Sequence, residues 1–478
     1  MIAATAEPAL FVDLDGTLVK SDLLWESLAS AARLSPLRAL RGLFSITDGR
    51  AALKSVLAQS STIDAASLPY RKPLLDWLTV EAERGRRIYL ATAADSRLAG
   101  NVADHLGLFA GVIASDGQRN RKGPAKLEAI RAATAGEAFD YCGNGPEDLP
   151  IFSAARQAVV VGAPQSVLRR AQSQGNVQRV FADRHDGAAW WRALRPHQWL
   201  KNLLLFVPLL TAFKLTDPAA LIAETLAFIA FCLAASAGYL ANDLLDLQAD
   251  RLHPRKRARP LAAGDISIAG AVAVFAGLLI AALLLAGYLG RGMVGWLLVY
   301  LAMTLLYSLH VKRVAVFDVA MLAGLYTVRV LAGGAAIDVE VSFWLLAFSA
   351  FVFFSLALIK RCGELVSMRD RDEQTISGRA YSVTDLSVLQ PLGLATSVAA
   401  VLVFALFVRT PEVAQRYMSP QWLWLTMTAM LLWLARLWLQ TARGEMHDDP
   451  IVFAVRSPVS IALVIAMLVG FAFAAWVR

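Results

Sequence analysis

The sequence predicts two fold classes in one chain. An α/β domain on a doubly wound parallel sheet, with a small helical cap, is followed by an all-α membrane domain of nine transmembrane helices. Three observations predict this. First, 57% of the 478 residues are hydrophobic and only 18% are charged, well beyond the balance of soluble proteins. Second, the excess is uneven: residues 1–190 carry charges throughout, whereas from about Leu203 apolar runs of roughly twenty residues, the length of a bilayer span, alternate with short charged loops. Third, short apolar strands alternate with amphipathic helical stretches before residue 183, the pattern of a parallel sheet covered by helices. The expected boundaries are 1–183 for the α/β domain, 184–197 for an interfacial connector, and 198–478 for the membrane domain.

The first element is Ala9–Leu18, ALFVDLDGTL, an apolar strand running into two aspartates two residues apart and then Gly-Thr. Between Ser21 and Pro69 the pattern is helical and reads as the cap. RRIYLATAA is a strand ending in Thr92, KGPAK holds Lys126, and YCGNGPEDLPIF holds Asn144 and Asp148. The sites of such sheets lie at the carboxyl ends of the strands. These stretches resemble, in order, the motifs of the haloacid dehalogenase (HAD) superfamily of phosphatases, the first being its DxDGT motif. The resemblance implies that Asp13 attacks phosphorus as a nucleophile and that Asp15 protonates the leaving oxygen and then activates water. It also implies that Thr92 binds the phosphate, that Lys126 screens phosphate and nucleophile, and that Asp13, Asp15, Asn144 and Asp148 hold Mg²⁺. Asn144 stands where the family often has aspartate, so the site has one negative charge fewer. A binding-only domain is the alternative to a phosphatase.

Arg184–Arg195 is a short basic connector, with Trp190 and Trp191 expected at the membrane interface. Candidate spans follow at 198–213, 219–241, 267–289, 293–311, 314–336, 343–360, 386–408, 421–440 and 457–477. One set of loops holds Arg251, Arg255, Lys256, Arg257 and Arg259, then Lys312 and Arg313, then Lys360, Arg361, Arg369 and Arg371, then Arg443 and Arg456. The other holds little beyond Lys214, Arg291 and Arg416. The positive-inside rule puts the first set in the cytoplasm, on the side of the α/β domain, and implies an inner (plasma) membrane protein with a cytoplasmic N-terminus and a periplasmic Arg478. The opening residues are short and mixed, with no secretory signal expected. The net charge of +8 is explained by loop arginines and lysines meeting membrane lipids rather than by nucleic acid. Three scattered cysteines suggest no disulfide framework and no zinc site, and the six histidines form no cluster.

The loop after the second span reads NDLLDLQAD and then RLHPRKRARPLAAG. On a helix, Asp243, Asp246 and Asp250 fall three and four residues apart and line one face. Converging carboxylates make sense around a divalent cation such as Mg²⁺ that bridges to substrate phosphates, and Arg255–Arg259 would neutralise a diphosphate. A solvated juxtamembrane helix with an orientation signal explains the arginines but not the stacked acids. Asn242, Asp243, Asp246 and Asp250 match the NDxxDxxxD motif, and the chain resembles the UbiA superfamily of intramembrane prenyltransferases. That implies nine transmembrane helices and a cavity in which the motif binds Mg²⁺ and a diphosphate. The second aspartate-rich motif is replaced by YSLHVKRVAVFD, with Tyr307, Lys312, Arg313 and a single Asp318. RPHQWLKN at Arg195–Asn202, HPRKRARPLAAG at His253–Gly264, RVLAGGAA at Arg329–Ala336, KRCGE at Lys360–Glu364 and YSVTDL at Tyr381–Leu386 resemble the decaprenyl-phosphate phosphoribosyltransferase branch. There the diphosphate belongs to phosphoribosyl pyrophosphate and the acceptor is a polyprenyl phosphate.

On that reading Lys201, Asn202, Lys256, Arg257, Arg259, Tyr307, Lys312, Asp318, Lys360 and Arg361 bind substrate, the cations gripping the acceptor phosphate and the ribose 5-phosphate. Their plainer role is to snorkel to the interface. Three functions compete. One is a bifunctional enzyme whose HAD domain removes the 5-phosphate of the transferase product. Another is a prenyl-diphosphate-dependent transferase with an unrelated phosphatase. The last is a membrane-anchored scaffold.

Overall fold

The computed structural model describes residues 7–34, 49–116, 118–183, 186–370, 380–446 and 449–476. Part of the expected cap (35–48), Arg184, Arg371 and Arg478 lie outside the described residues. The chain divides into two compact units, Met1–Leu194 with Tyr239–Phe275, and Arg195–Gly238 with Ala276–Arg478. The aspartate motif and the basic loop after it thus belong to the unit that holds the α/β sheet.

In the first unit, six strands form one wholly parallel sheet in the order β3-β2-β1-β4-β5-β6. They are β1 (Ala9–Val12), β2 (Ile88–Asp95), β3 (Gly111–Ser115), β4 (Phe139–Gly143), β5 (Gln157–Val161) and β6 (Val177–Phe181). β1 lies near the middle, with Leu10 opposite Ile88 of β2 and Ala9 opposite Phe139 of β4. Leu10, Phe11 and Val12 are fully buried, because helices cover both faces and leave no polar alternation to the strand. The strand order reverses between β1 and β4, and such a switch point opens a crevice at the carboxyl ends of the strands. Asp13 and Asp15 follow β1, Thr92 lies in β2, and Asn144 and Asp148 follow β4. Chain topology alone therefore gathers the motif residues. Between β1 and β2 run helices α1 (Leu23–Leu34), Arg50–Ser60 and Lys72–Glu83.

Among the described residues, eight helices are long and apolar enough to cross a membrane. They are Pro218–Leu245, Ile268–Leu289, Arg291–Leu309, Phe317–Ala336, Phe343–Arg369, Val383–Val408, Pro420–Ala442 and Pro458–Trp476. Pro218–Leu245 and Phe317–Ala336 are 50% and 56% buried within the protein, whereas Ile268–Leu289 and Arg291–Leu309 are only 17% buried. The latter two present side chains such as Ile280, Leu284 and Leu298 outward, as lipid-facing helices do. The first expected span, 198–213, is built differently: a 3₁₀ run over Pro196–Phe206 leads into a short α-helix, Val207–Thr211. At rises of about 2.0 and 1.5 Å per residue this is roughly 30 Å long. It climbs beside Phe317–Ala336 in the same direction. Asn202 bonds Arg329, Leu205 packs on Gly333, and Lys214 Nζ donates to the Ile337 carbonyl at 3.3 Å. A Cβ on Gly333 would stand 2.0 Å from the Leu205 carbonyl oxygen, which is the physical reason for glycine in RVLAGGAA.

Candidate active sites

The turn after β1 is held by Arg71, whose Nη2 donates to the Gly16 carbonyl at 2.8 Å while its Nη1 pairs with Asp183. Gly16 has φ of +71°, and a Cβ there would stand 2.1 Å from Asn144 Nδ2. Both facts demand the glycine of DxDGT. Asp13, 6% exposed, accepts from Lys126 Nζ at 2.8 Å. The same ammonium donates to the Tyr141 hydroxyl at 2.9 Å and reaches Asp148 Oδ1 at 3.4 Å. Tyr141 in turn donates to Asp148 Oδ1 at 2.8 Å, and the backbone N–H groups of Asn144 and Gly145 donate to Asp148 Oδ2 at 3.0 Å each. Asp15 accepts from the Leu23 N–H at 2.8 Å, at the start of α1. Thr92 is wholly buried, and its hydroxyl accepts from the Ala94 N–H at 3.0 Å.

Burial lifts the Asp13 carboxyl to about 6; the Lys126 ammonium opposes the rise and the Asp148 charge adds to it. Burial, aided by the charge of Asp22, lifts Asp15 to about 8. Both carboxyls are thus raised above the ordinary range, Asp15 further than Asp13, which has the Lys126 ammonium against it. Beside Asp15 opens a small cleft whose lining includes Asp22, Ser27, Asp95 and the cap residue Lys54. Lys54 donates to the Ala93 carbonyl and to Asn120 Oδ1. Sequence reasoning missed Lys54 and Tyr141. Tyr141 opens the YCGNGPEDLPIF stretch, whereas no local signal marks Lys54, which the fold delivers from the helix Arg50–Ser60.

The aspartate motif spans the end of Pro218–Leu245 and the short helix Leu247–Leu252, with Asp246 at the break. Asp243 and Asp250 are buried, 3% and 1% exposed. Both meet one guanidinium: Arg259 Nη1 lies 3.2 Å from Asp243 Oδ1 and also binds Asp250 Oδ2. Lys256 Nζ stands 3.8 Å from Asp250 Oδ1, a buried oxygen that accepts no hydrogen bond. Arg257 is exposed, and Asn242 and Asp246 are half-buried. Among the described residues, no three of His, Cys, Asp and Glu lie close enough to share a metal ion. In this geometry Arg259 stands between the two buried carboxylates, as Lys126 stands between Asp13 and Asp148. Two buried carboxylates sharing one cation, with one oxygen that accepts no hydrogen bond, are oxygen donors of the kind a divalent cation takes.

In the second unit the predicted residues fall into three groups. Lys201 Nζ and Lys360 Nζ both approach Asp449 Oδ2, at 2.7 and 3.6 Å, and the Tyr326 hydroxyl donates to the same carboxylate at 3.2 Å. Burial works against the ionised Asp449, and the Lys201 and Lys360 ammoniums outweigh it, holding its carboxyl below the usual range. Asn202, fully buried, accepts from Arg329 Nε at 2.8 Å, and Arg329 Nη2 donates to the Tyr300 hydroxyl at 3.3 Å. Arg361 and Asp318, both fully buried, form an ion pair joined by Glu364, Tyr307 and the Tyr381 hydroxyl. Lys312 lies in the 3₁₀ turn Val311–Arg313. Sequence reasoning missed Asp449, although its acidic HDDP setting in an otherwise basic loop is the signal that could have found it.

The parallel sheet carries these motif residues in or just after β1, β2 and β4, as their resemblance to HAD motifs implies, and the long apolar helices carry the aspartate motif of an intramembrane transferase. The UbiA prenyltransferase family model matches residues 204–458, and the chain belongs to that family. It is 39% identical to the uncharacterized protein y4nM of Sinorhizobium fredii, over 94% of this chain and 88% of the relative. It is 37% identical to the nodulation protein NoeC of Azorhizobium caulinodans, over 60% of this chain and 93% of the relative. It is also 39% identical to the decaprenyl-phosphate phosphoribosyltransferase of Mycolicibacterium smegmatis, over 36% of this chain and 56% of that enzyme's length. The chain is therefore a multi-pass membrane enzyme of the UbiA prenyltransferase family that also carries an α/β domain on a parallel sheet.

Proposed function

We propose that the chain is a bifunctional enzyme. Its membrane part transfers 5-phosphoribose from phosphoribosyl pyrophosphate to a polyprenyl phosphate, and its HAD domain, residues 1–183 on the cytoplasmic side, removes the 5-phosphate of the product. One observation carries the reading. The stretches that resemble phosphoribosyltransferases are far apart in sequence yet meet in pairs: Lys201 and Lys360 at Asp449, and Asn202 at Arg329. The similarity to decaprenyl-phosphate phosphoribosyltransferase supports it further.

In the transfer, an oxygen of the polyprenyl phosphate attacks the anomeric carbon and pyrophosphate leaves. Lys201 and Lys360 are placed to grip a phosphate, with Asp449 and Tyr326 fixing where their ammoniums stand. Arg259, with Lys256 beside it, offers positive charge to the leaving diphosphate. Asn242, Asp243, Asp246 and Asp250 would hold Mg²⁺, which when bound supplies further neutralisation of that charge.

In the hydrolysis, Asp13 attacks the phosphorus of the ribose 5-phosphate, forming an aspartyl-phosphate as the bond to the ribose oxygen breaks. Asp15 gives its proton to that oxygen and later takes one from the water that releases inorganic phosphate. Lys126 screens the carboxylate from the incoming anion, and Asp13, Asp15, Asn144 and Asp148 would hold Mg²⁺. The test is to give the purified protein a polyprenyl phosphate with either phosphoribosyl pyrophosphate or a prenyl diphosphate. Consumption of phosphoribosyl pyrophosphate is expected, and consumption of the prenyl diphosphate alone would overturn the reading.

A further inference from the structure

Helix α1 begins at the phosphatase centre and reaches the aspartate motif one turn later. Its first residue, Leu23, donates its N–H to Asp15 Oδ1 at 2.8 Å, and Asp22 Oδ1 accepts from the Leu24 N–H at 2.8 Å. Glu26 N closes the first turn on the Asp22 carbonyl at 3.0 Å. The Glu26 side chain then binds Arg251 through two parallel N–H···O bonds, Nη1 to Oε2 at 3.0 Å and Nη2 to Oε1. The two side chains are only 2% and 4% exposed. Arg251 is the neighbour of Asp250 in the motif helix, and its Nε donates to the Ala262 carbonyl of the basic loop at 3.2 Å. One guanidinium thus ties α1, the motif helix and the loop together. Two flanking contacts repeat the connection, Gln248 Nε2 to the Thr62 carbonyl at 2.7 Å and Lys20 Nζ to Asp265 at 3.2 Å. The Lys20–Asp265 pair is about one-third exposed, as expected of a weak surface contact. The buried bidentate pair is the one with fixed geometry.

We propose that Glu26 and Arg251 are positioning residues of the phosphatase: the aspartate-motif segment, through this pair, holds α1 so that the Leu23 N–H stays on Asp15. The inference rests on the reading of the HAD domain as a phosphatase, and it extends that reading by placing part of its catalytic geometry under control of the transferase sequence. The physical reason is stiffness. A planar fork engaged at both carboxylate oxygens fixes direction as well as distance, and only one helical turn separates it from Asp15. A small shift of a catalytic group is enough to slow chemistry about 10- to 100-fold.

The experiment uses the full-length protein in detergent with p-nitrophenyl phosphate as probe, together with hydrogen–deuterium exchange of the Leu23–Glu26 amides. Glu26→Gln and Arg251→Gln are expected to speed exchange at those amides and to lower kcat about 10- to 100-fold with little change in KM. The charge-reversed double variant, E26R with R251E, should recover both. A merely structural pair would move stability without this split and this rescue. Wild-type exchange and kcat in Arg251→Gln would overturn the proposal, as would a double variant no better than the worse single one. If charge reversal prevents folding, Arg251→Lys, which keeps the charge without the fork, is expected to show intermediate exchange; wild-type exchange there also overturns it. A wild-type protein that hydrolyses no phosphomonoester would refute the phosphatase reading instead, and exchange at Leu23 would still decide the positioning claim.

Discussion

Replacing Lys126 by methionine keeps most of the side-chain stem and removes its charge. The lysine is 3% exposed, with Nζ at 2.8 Å from Asp13 and 3.4 Å from Asp148. At 2.8 Å and an effective dielectric of about 20, the attraction to Asp13 alone is about 6 kcal/mol. Part of that offsets the cost of burying the ammonium, and deleting one partner of such a pair leaves about 3–5 kcal/mol uncompensated. The substrate phosphate is itself an anion and must approach Asp13 and Asp148 with their shared cation gone. Loss of one such stabilising group costs about 10²- to 10³-fold in turnover, and that is the expected fall in phosphate release by Lys126→Met. The assay is release of inorganic phosphate from a soluble phosphomonoester by the full-length protein, with transfer measured in parallel and expected to be unchanged. Hydrolysis within about threefold of wild type would refute the screening role, since so small a change is below the value of one interaction made in the transition state.

Three further predictions concern the membrane part. Asp243→Ala and Asp250→Ala should each lower transfer about 10³-fold or more while the protein still inserts, and chelator should do the same to wild type; transfer that survives either treatment would contradict the metal role. Asp318→Asn leaves Arg361 fully buried with Glu364 as its remaining carboxylate, so it should destabilise by about 3–5 kcal/mol, read as a clear drop in melting temperature in detergent. Because the segment 196–214 climbs beside Phe317–Ala336, the chain should cross the membrane nine times, and reporter fusions at the two termini should report opposite sides.

What the sequence made legible was local. DLDGT, KGPAK and the GNGPED loop each follow a strand and Thr92 lies within β2, which runs on to Asp95, and parallel topology brings strand ends together whatever lies between. The aspartate motif was legible for the same reason, Asn242–Asp250 being nine residues of nearly continuous helix. Partners chosen by tertiary packing were not legible. Asp449 pairs with Lys201 from 248 residues away, Arg361 with Asp318 from 43, and Arg251 with Glu26 from 225. No periodicity encodes such distances. Arg251 and Arg361 were read as basic loop and span-end residues because a charge near an apolar run looks the same whether it faces water or a buried carboxylate. The 3₁₀ run at Pro196–Phe206 was also hidden, since its apolar content fits an α-helical span equally well.

The central claim is that one chain makes and then dephosphorylates a lipid-linked phosphoribose. The most direct measurement is mass spectrometry of lipid extracts from cells expressing the wild type and the Asp13→Asn variant. Lipid-linked ribose is expected from wild type and lipid-linked 5-phosphoribose from the variant, because the proposed function makes Asp13 the nucleophile of hydrolysis and gives it no part in transfer. The same 5-phosphorylated lipid in both extracts, or no ribosylated lipid in either, would contradict it.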